Sequence, residues 1–377
     1  MSVTVIIHEA TRTGAPRIGG LVARELGRRE SVDAIVMKDG PLEEWIVECA
    51  EGAPVKFFRE DEFFWRVPFE ARLNAAKAAL MESDSDVVYV NSLAASVFVF
   101  AAKALGRKVV LHVHEKAADM MNLLRHDIVK MDAVNLADGV ILAAEEQAAD
   151  IAEVFKTDTG GFRNFGIAVD FDAVRTAALE PSKPALNARE EDFVRRDRLV
   201  IGMCGHASLR KGVDTFYSTA KALPECDFLW VGGWGPEETA DNAIFDAFVE
   251  DKLPNLYVTG SVANPYPYLA AFDMFFLSSR EDPNPVVLAE AMTLGVPLLC
   301  FSATTGVTDR LGRSGILCYG SPNVEDAARV IRTFTPEKAR SPEFKGLADT
   351  FLSAFDLREK MVMVNEMIAE LRQPSVT

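Results

Sequence analysis

The sequence is poor in basic residues relative to acidic ones, and it lacks a long apolar segment. Its 377 residues include 40 Lys and Arg against 56 Asp and Glu, a formal net charge of −16. Because nucleic-acid binding calls for a basic field, we expect no nucleic-acid partner. The longest apolar run, residues 93–102, is shorter than the about 20 residues that cross a bilayer. Hydrophobic residues at 49% and charged residues at 25% nevertheless exclude wholesale disorder.

Cysteines are also few, odd in number and widely spaced: Cys49, Cys204, Cys226, Cys300 and Cys318. This usage indicates reduced thiols rather than a disulfide framework, as expected in the cytoplasm. No His/Cys cluster has the spacing of a zinc site, so we expect neither a metal nor a cofactor. Residues 1–9 lack a basic region followed by an apolar stretch, so no signal peptide is expected there.

What the chain does contain is a regular alternation of strand-like and helix-like segments. Continuous Val/Ile runs predict strands that are buried on both faces of a parallel sheet, so the class is α/β. The strands are predicted at 3–7, 34–37, 87–91, 108–112 and 139–143, then at 199–203, 227–231, 256–259, 274–277 and 297–301. These two series indicate two doubly wound, Rossmann-like domains.

A charge-dense, proline-containing stretch separates the two series. We predict a first domain over residues 1–180, a linker over 181–198 and a second domain over 199–355. Residues 356–377 carry apolar side chains at helical spacing, which predicts a terminal amphipathic helix. We expect this helix to pack back toward the first domain. Ligands of open parallel sheets bind at the carboxyl ends of the strands, so two such domains facing a central cleft suit transfer of a group between two molecules.

The first candidate site follows the strand predicted at 199–203. Gly205 begins a turn that contains two adjacent cations, Arg210 and Lys211, before Gly212 and a helix. Cations at a helix N-terminus oppose the helix dipole, and a bound diphosphate would account for them. A solvated turn explains them about equally well. The turn is not a P-loop, since the Gly-x4-Gly-Lys-Ser/Thr spacing is missing.

The second candidate site follows the strand predicted at 274–277. Asp282 precedes a helix predicted at about 286–294, and Glu290 lies within its first turns on an otherwise apolar segment. A buried carboxylate there requires hydrogen-bond donors, which ribose hydroxyls could supply. Taken one at a time, a helix cap at Asp282 and a local hydrogen bond at Glu290 are the simpler explanations.

The pattern Asp282-x7-Glu290, followed by Ala-Met-x-x-Gly-x-Pro, resembles the E-x7-E signature of glycosyltransferase family 4. Members of that family are retaining enzymes that use nucleotide sugars and have the GT-B fold. Residues 13–16, 112–115 and 164–170 resemble the family's N-terminal glycine loop, its histidine loop and the segment that closes its first domain. The resemblance covers nearly the whole chain and is most specific in the second half.

The resemblance implies a role for each matching residue of the second half. Arg210 and Lys211, on the phosphate turn that begins at Gly205, would bind the donor diphosphate, and Asp282 would contact hydroxyls of the transferred sugar. Glu290 would hold the nucleotide ribose. The remaining donor contacts would come from Val262 at the base pocket and from backbone N–H groups near Asn284 and Val286.

In the first half, the resemblance implies that Gly14 lets its loop approach the donor phosphate and that His114 lies beside the sugar. We expect His112 and His114, which alternate on one strand end, to point to opposite faces, with His112 in the core. The chain departs from the family at Asp282, where glutamate is usual, and at His206, where arginine is common.

The expected function is therefore transfer of a hexose from a nucleotide-diphosphate sugar to a glycan or lipid-linked acceptor in cell-surface polysaccharide synthesis. A non-catalytic GT-B binding protein and a sugar-nucleotide epimerase remain alternatives. Residues 12–29, with five arginines against one glutamate, and the aromatic segment 56–69 would flank the acceptor and contact the inner membrane face. Core aromatics beside a solvated helix are an equally good explanation of those two segments.

Overall fold

The structure is a computed structural model that describes residues 2–58, 66–181, 197–234, 253–280, 282, 285–301, 316–319, 323–342 and 353–373. The chain forms two compact units. The first comprises Met1–Ala168 together with Leu357–Thr377, and the second comprises Val169–Asp356.

The first unit is built on a seven-stranded parallel sheet. Its strands are β1 (Ser2–Ile7), β2 (Ser31–Val36), β3 (Val55–Phe57), β4 (Val87–Asn91), β5 (Lys108–Val113), β6 (Gly139–Leu142) and β7 (Arg163–Asn164), in the order β3-β2-β1-β4-β5-β6-β7. Its helices are α1 (Gly14–Gly27), α2 (Glu43–Cys49), α3 (Phe69–Met81), α4 (Val97–Ala104), α5 (Ala117–Arg125), α6 (Ala133–Leu136) and α7 (Gln147–Phe155). All five residues of β4 are buried, and alternate residues face opposite sides of the sheet. Val88 and Val90 belong to the hydrophobic core on one side, and Val87 and Tyr89 belong to the core on the other side. Burial on both faces explains why this strand is a continuous apolar run.

The second unit is built on a six-stranded parallel sheet. Its strands are β8 (Val200–Cys204), β9 (Asp227–Val231), β10 (Leu256–Val258), β11 (Met274–Leu277), β12 (Leu298–Phe301) and β13 (Ile316–Tyr319), in the order β10-β9-β8-β11-β12-β13. Its helices are α8 (Phe171–Ala177), α9 (Val213–Ala222), α10 (Tyr266–Ala270), α11 (Val286–Thr293), α12 (Val324–Ile331) and α13 (Pro336–Ala339). Aromatic side chains fill the core, where the Phe216 ring lies 5.3 Å from both Phe228 and Trp230 between centroids.

The boundary between the units lies at Ala168 rather than at residue 180. Helix α8 belongs to the second unit, because it packs against α10 and α11 and the Ala177 carbonyl accepts a hydrogen bond from Asn264 Nδ2 at 2.8 Å. The backbone N–H of Val169 likewise bonds the Phe355 carbonyl at 2.8 Å. Most of the predicted linker, residues 182–196, lies outside the described residues.

The last helix, α14 (Leu357–Leu371), packs on α1 in the first unit. Its apolar positions Met361, Val364 and Ile368 are buried there. Gly139 on β6 leaves room for this helix, since a β-carbon at that position would lie 2.6 Å from the Met367 sulfur. The apolar stripe of α14 therefore completes the core of a unit whose other residues are about two hundred positions away in the chain.

Candidate functional site

The turn after β8 is held by backbone contacts with the loop after β9. Gly205 has φ +152°, its N–H bonds the Val231 carbonyl at 2.9 Å, and its own carbonyl accepts from Trp230 Nε1 at 3.0 Å. A β-carbon on Gly232 would lie 2.0 Å from the Gly205 oxygen. The two loops thus touch through glycine backbone, which requires a residue without a side chain at this point.

Lys211 and Asp282 form an ion pair across two loops of the second unit. The Lys211 ammonium contacts the Asp282 carboxylate, and their side chains are only 15% and 10% exposed. The Lys211 side chain passes close to Gly205, where a β-carbon would lie 3.8 Å from Lys211 Cε. The structure therefore brings Gly205, Lys211 and Asp282 together at the carboxyl ends of β8 and β11, which are neighbouring strands.

Arg210 differs from Lys211 in its surroundings. Its side chain is exposed, and its carbonyl accepts a hydrogen bond from the Arg280 N–H at 2.8 Å. The two adjacent cations are therefore not equivalent: Lys211 faces a buried carboxylate, whereas Arg210 lies at the surface of the turn.

Several contacts that the sequence did not reveal bind this turn to the loop after β11. Arg280 Nη1 bonds the Leu209 carbonyl and Asp214 Oδ1, each at 2.6 Å, and Ser278 Oγ bonds the Lys211 carbonyl at 3.0 Å. Gly212 has φ +71°, and a β-carbon there would lie 2.0 Å from the Ser278 oxygen. Side chains of the loop that carries Asp282 thus donate hydrogen bonds to backbone carbonyls of the turn that carries Lys211.

The contact between Arg280 and Asp214 shifts the pKa values of both groups. Burial alone would raise the pKa of Asp214, but the hydrogen bond and charge of Arg280 lower that pKa below its usual value. The same hydrogen bond raises the pKa of Arg280. Both groups therefore stay charged at neutral pH.

Glu290 is buried on the second turn of α11, and its carboxylate has a partner that the sequence did not suggest. Tyr266, the first residue of α10, donates its phenolic hydrogen to Glu290 Oε1 at 2.9 Å. The Tyr266 N–H in turn bonds Asn264 Oδ1 at 3.1 Å. The carboxylate therefore has a partner on a neighbouring helix, 24 residues away in sequence.

The remaining residues of this unit that were predicted to contact the donor are Val286, Val262 and Asn284. Val286 is the first residue of α11, where helix N–H groups have no intrahelical partner, and Val262 lies half-buried in the loop between β10 and α10. Asn284 lies outside the described residues. Ser279, next to the Arg280 contacts, is fully buried, and its hydroxyl has no hydrogen-bond partner among the described residues.

In the first unit, a polar cluster lies where β1, β4 and β5 end. His114 Nε2 and Asn91 Oδ1 are 2.8 Å apart, and the His114 N–H bonds Glu115 Oε2 at 2.9 Å. Glu115 also accepts a hydrogen bond from the Ser92 hydroxyl. The sequence singled out His114, but not Asn91 or Ser92, because nothing in a single chain marks which strand ends are neighbours.

His112 is a core residue, as expected, but the expectation that it points away from His114 is wrong. Its Nδ1 lies 2.7 Å from the Tyr89 hydroxyl, while its Nε2 is buried without a partner among the described residues. The two imidazole rings lie 4.1 Å apart between centroids, because residues two apart on a strand share a face. Burial lowers the pKa of His112 well below its usual value and that of His114 to about 4.

A second acid–imidazole pair lies in the same cluster. His8 Nε2 is 3.6 Å from Glu9 Oε1, and Thr11 Oγ1 donates to that oxygen at 2.6 Å. The hydrogen bond with His8, with a further one from Thr11, lowers the pKa of Glu9 to about 2 against the opposing effect of burial. The cluster therefore keeps a carboxylate charged.

Gly14 opens α1, and its surroundings differ from those of Gly205 and Gly212. A β-carbon on Gly14 would meet nothing within 4 Å, and the Thr13 side chain makes no capping hydrogen bond. No acidic residue lies in the first turn of α1. None of the described contacts therefore requires a glycine at this position.

The arginine-rich segment of α1 is partly neutralised within the protein. Arg24 and Arg28 both bind Glu25, at 3.0 and 2.9 Å. Of the aromatic segment 56–69, residues 59–65 lie outside the described residues. Across the described ranges, no group of three or more His, Cys, Asp or Glu side chains is placed to hold a metal, and no helix is long and apolar enough to cross a membrane.

Residues 198–335 match the sequence model of the family described as "Glycosyl transferases group 1". This segment contains both loops of the second unit and Glu290, but neither Gly14 nor His114. The structure of Anabaena Alr3699/HepE in complex with UDP-glucose superimposes with a TM-score of 0.75 at 18% identity, covering 98% of this chain and 100% of that one. The chain has the GT-B fold. The prediction of two Rossmann-like parallel-sheet domains of this fold is confirmed.

The curated relatives match a smaller share of this chain than the solved structure does. An uncharacterized glycosyltransferase of Haemophilus influenzae is 22% identical over 243 residues, which is 62% of this chain and 63% of that protein. An alpha-galactosylglucosyldiacylglycerol synthase of Streptococcus pneumoniae is 25% identical over 122 residues, 32% of this chain and 33% of its own length. The GT-B chain thus spans less than two thirds of the length of these relatives.

Proposed function

We propose that this protein is a retaining glycosyltransferase of family 4 that moves a hexose from a nucleotide-diphosphate sugar to a glycan or lipid-linked acceptor. The observation that carries the proposal is the meeting of the Gly205 turn, Lys211 and Asp282 at the carboxyl edge of one parallel sheet. That edge is where open parallel sheets bind ligands, and it lies inside the segment that matches the group 1 family.

In this proposal, the ion pair of Lys211 and Asp282 is the resting state of the donor site. A diphosphate attracts the Lys211 ammonium, and Arg210 at the surface of the turn adds a second cation. Asp282 then accepts hydrogen bonds from hydroxyls of the transferred sugar. Both cations neutralise charge that grows on the departing diphosphate, so we expect no metal to be needed.

Glu290 is proposed to hold the ribose. A carboxylate accepts hydrogen bonds from two adjacent hydroxyls, and Tyr266 orients it by occupying Oε1. The backbone N–H groups at the start of α11, near Asn284 and Val286, are proposed to bind the sugar or the diphosphate. Val262 is proposed to line the base pocket.

The reaction that we propose retains the configuration of the sugar. The bond between the sugar carbon and the diphosphate oxygen breaks, the acceptor hydroxyl bonds to the same face, and its proton passes to the departing phosphate. Preorganised donors that stabilise the growing negative charge are the largest catalytic contribution available to such a site, and losing one typically costs about 10²–10³ in rate.

The comparisons support particular parts of this proposal. Alr3699/HepE is described in complex with UDP and with UDP-glucose, which supports a nucleotide-sugar donor. The name of the Streptococcus relative supports a lipid acceptor. A role in cell-surface polysaccharide synthesis follows from the resemblance to the family, and a cytoplasmic location from the few, widely spaced cysteines; both belong to the proposal.

Calorimetry with UDP, GDP and ADP tests the donor site directly. We expect one of the three to bind, and Glu290→Gln to weaken its binding at least tenfold, while Glu225→Gln, at an exposed glutamate of the same unit, leaves the affinity unchanged. Equal affinities for both variants would contradict the role of Glu290. Transfer or slow hydrolysis of the matching sugar donor would then separate an enzyme from a non-catalytic binding protein, and product analysis without acceptor would reveal an epimerase.

Contact with an anionic membrane surface is proposed for residues 12–29 and 56–69. Flotation with vesicles that contain or lack an anionic lipid tests it, and we expect recovery only with the anionic vesicles. The ion pairs of Arg24 and Arg28 with Glu25 reduce the basic charge that this segment can offer to a membrane. Equal recovery with both kinds of vesicle would contradict this part of the proposal.

A further inference from the structure

The loop after β11 holds three successive carbonyls of the turn that carries Lys211. Arg280 Nη1 donates a hydrogen bond to the Leu209 carbonyl at 2.6 Å, and the Arg280 backbone N–H donates to the Arg210 carbonyl at 2.8 Å. Ser278 Oγ donates to the Lys211 carbonyl at 3.0 Å. A short segment of one loop therefore determines the course of the turn.

Two of these carbonyls flank the α-carbon of Lys211. The Arg210 carbonyl belongs to the peptide group before that α-carbon, and the Lys211 carbonyl belongs to the peptide group after it. Because a peptide group is planar, fixing both groups leaves little freedom to the two backbone dihedrals of Lys211. The direction of its Cα–Cβ bond, from which the side chain extends to Asp282, is then fixed as well.

The N–H groups of the same two peptide groups are held within the turn. The Lys211 N–H bonds Ser208 Oγ at 3.3 Å, and the Gly212 N–H bonds the Leu209 carbonyl at 3.0 Å. The peptide groups on both sides of the Lys211 α-carbon are therefore engaged through both their N–H and their C=O.

The Arg280 side chain also neutralises a charge beside this turn. Asp214 lies in the first turn of α9, three residues after Lys211, and both of its carboxylate oxygens contact the Arg280 guanidinium. Nη1 has two hydrogens, so it serves the Leu209 carbonyl and Asp214 Oδ1 at once. An ion pair with side chains 43% and 26% exposed contributes little to stability by itself, so we expect variants of Arg280 to fold.

We propose that Ser278 and Arg280 are positioning residues, which hold the backbone at Lys211 so that its ammonium meets the Asp282 carboxylate. The action of Lys211 on a diphosphate rests on the proposed function; the effect of Ser278 and Arg280 on the ion pair does not. The loop after β11 thus sets both members of the pair, because it carries Asp282 and also orients the residue that Asp282 contacts.

Two adjacent serines provide a matched comparison. Ser278 and Ser279 are both fully buried, but the Ser279 hydroxyl has no hydrogen-bond partner among the residues that the structure describes. Ser278→Ala and Ser279→Ala each remove one buried hydroxyl, and only the first releases the Lys211 carbonyl. A difference between the two variants therefore reports the contact rather than the loss of a buried hydroxyl.

The first measurement needs no substrate. Thermal melts of Lys211→Met, Asp282→Asn and the double variant give the departure of the double variant from additive Tm shifts, which measures the coupling between the two charges. We expect Ser278→Ala to reduce this departure by about half or more, and Ser279→Ala to leave it unchanged. An unchanged departure in the Ser278→Ala background would overturn the proposal, even if that variant has a lower Tm.

The second measurement is the turnover of the matching sugar donor, which tests whether Ser278 acts through Lys211. We expect Ser278→Ala to lower kcat about threefold to tenfold, the equivalent of one hydrogen bond, and to lower it no further in the Lys211→Met background. Ser278→Cys, which keeps a weak donor, should recover part of the loss. Equal losses in both backgrounds would show that Ser278 acts independently of Lys211 and would overturn the proposal.

Absence of turnover in the wild-type protein would count against the proposed function. The coupling measured by the melts would then decide the positioning role alone, because it depends on the ion pair and not on any substrate.

The contribution of the Arg280 side chain is tested against another arginine of the second unit. Arg332 likewise contacts a carboxylate and a backbone carbonyl, those of Glu225 and Ala222. We expect Arg280→Met to reduce the coupling of the ion pair and Arg332→Met to leave it unchanged. Arg280→Lys should restore the coupling only in part, because lysine lacks the planar fork of donors. Equal effects of Arg280→Met and Arg332→Met on the coupling would overturn the positioning role of Arg280.

Discussion

The ion pair between Lys211 and Asp282 gives a prediction in which stability and activity respond differently. Both side chains are nearly buried, at 15% and 10% exposure. Removing one partner leaves a buried charge without compensation, which typically costs about 3–5 kcal/mol of unfolding free energy. Removing both charges relieves that cost, so a double variant should be more stable than either single one.

The size of the effect can be estimated for Lys211→Met and Asp282→Asn. Some water reaches both groups, so we expect the lower end of the range, about 3 kcal/mol for each single variant. For a unit of this size, 1 kcal/mol shifts Tm by about 2–4 °C, which gives a loss of about 6–12 °C. The double variant should regain most of it, because the interaction energy of contacting residues appears as non-additivity.

The two readouts are a thermal melt and the turnover of the matching sugar donor. Hydrogen exchange of β8 and β11 assigns the melt to the second unit, since a chain of two units need not unfold in a single step. Lys211→Met should lower turnover at least tenfold, and the double variant should stay equally impaired although its stability has returned. Lys221→Met, at an exposed lysine of α9, is the matched control and should change stability by less than about 0.5 kcal/mol.

Two results would refute this reasoning. Additive losses of stability in the double variant would show that the two charges do not compensate each other. Near-normal turnover of Lys211→Met at saturating donor would show that the ammonium does not stabilise the departing diphosphate, whatever its effect on stability.

Three further predictions use other parts of the two units. Gly212→Ala should destabilise the second unit by more than about 1 kcal/mol, from φ +71° and the clash with a carbonyl, whereas Gly14→Ala, where a β-carbon meets nothing, should leave the Tm unchanged. Tyr266→Phe should weaken nucleoside diphosphate binding less than Glu290→Gln does, and equal losses in calorimetry would contradict an orienting role. Burial sets the pKa of His114 at about 4, below the about 6.5 of the unfolded chain, so the unfolded state binds more protons between these values. Urea unfolding of the first unit should therefore show stability falling by up to about 1.4 kcal/mol per pH unit from this residue as the pH drops through that window; a flat profile would contradict it.

The strands at the centre of each sheet could be predicted because their signal is local. A strand covered on both faces must be apolar at every position, so β4 is readable from its own five residues. The edge strands β3, β7 and β13 were missed, because two to four residues carry little pattern, although the three-residue edge strand β10 was predicted.

The residue types of the proposed donor site were also visible in the sequence, since Lys211, Asp282 and Glu290 each follow a strand at a recognisable spacing. The side chains that they contact could not be predicted from the sequence. Lys211 reaches Asp282 across 71 positions, and Arg280 reaches Asp214 across 66. Such pairs depend on β8 and β11 being neighbours in the sheet, and strand order is a property of the whole unit.

The amino-acid sequence by itself determined that the chain alternates strands and helices, that its sheets are buried on both faces, and which residue types follow the strand ends. These properties are local, because hydrophobic periodicity and turn chemistry act over a few residues. The tertiary structure alone decided that α8 belongs to the second unit and that Asn91 holds the His114 ring. Those results come from contacts between segments distant in the chain, where the packing of one surface against another selects the partner.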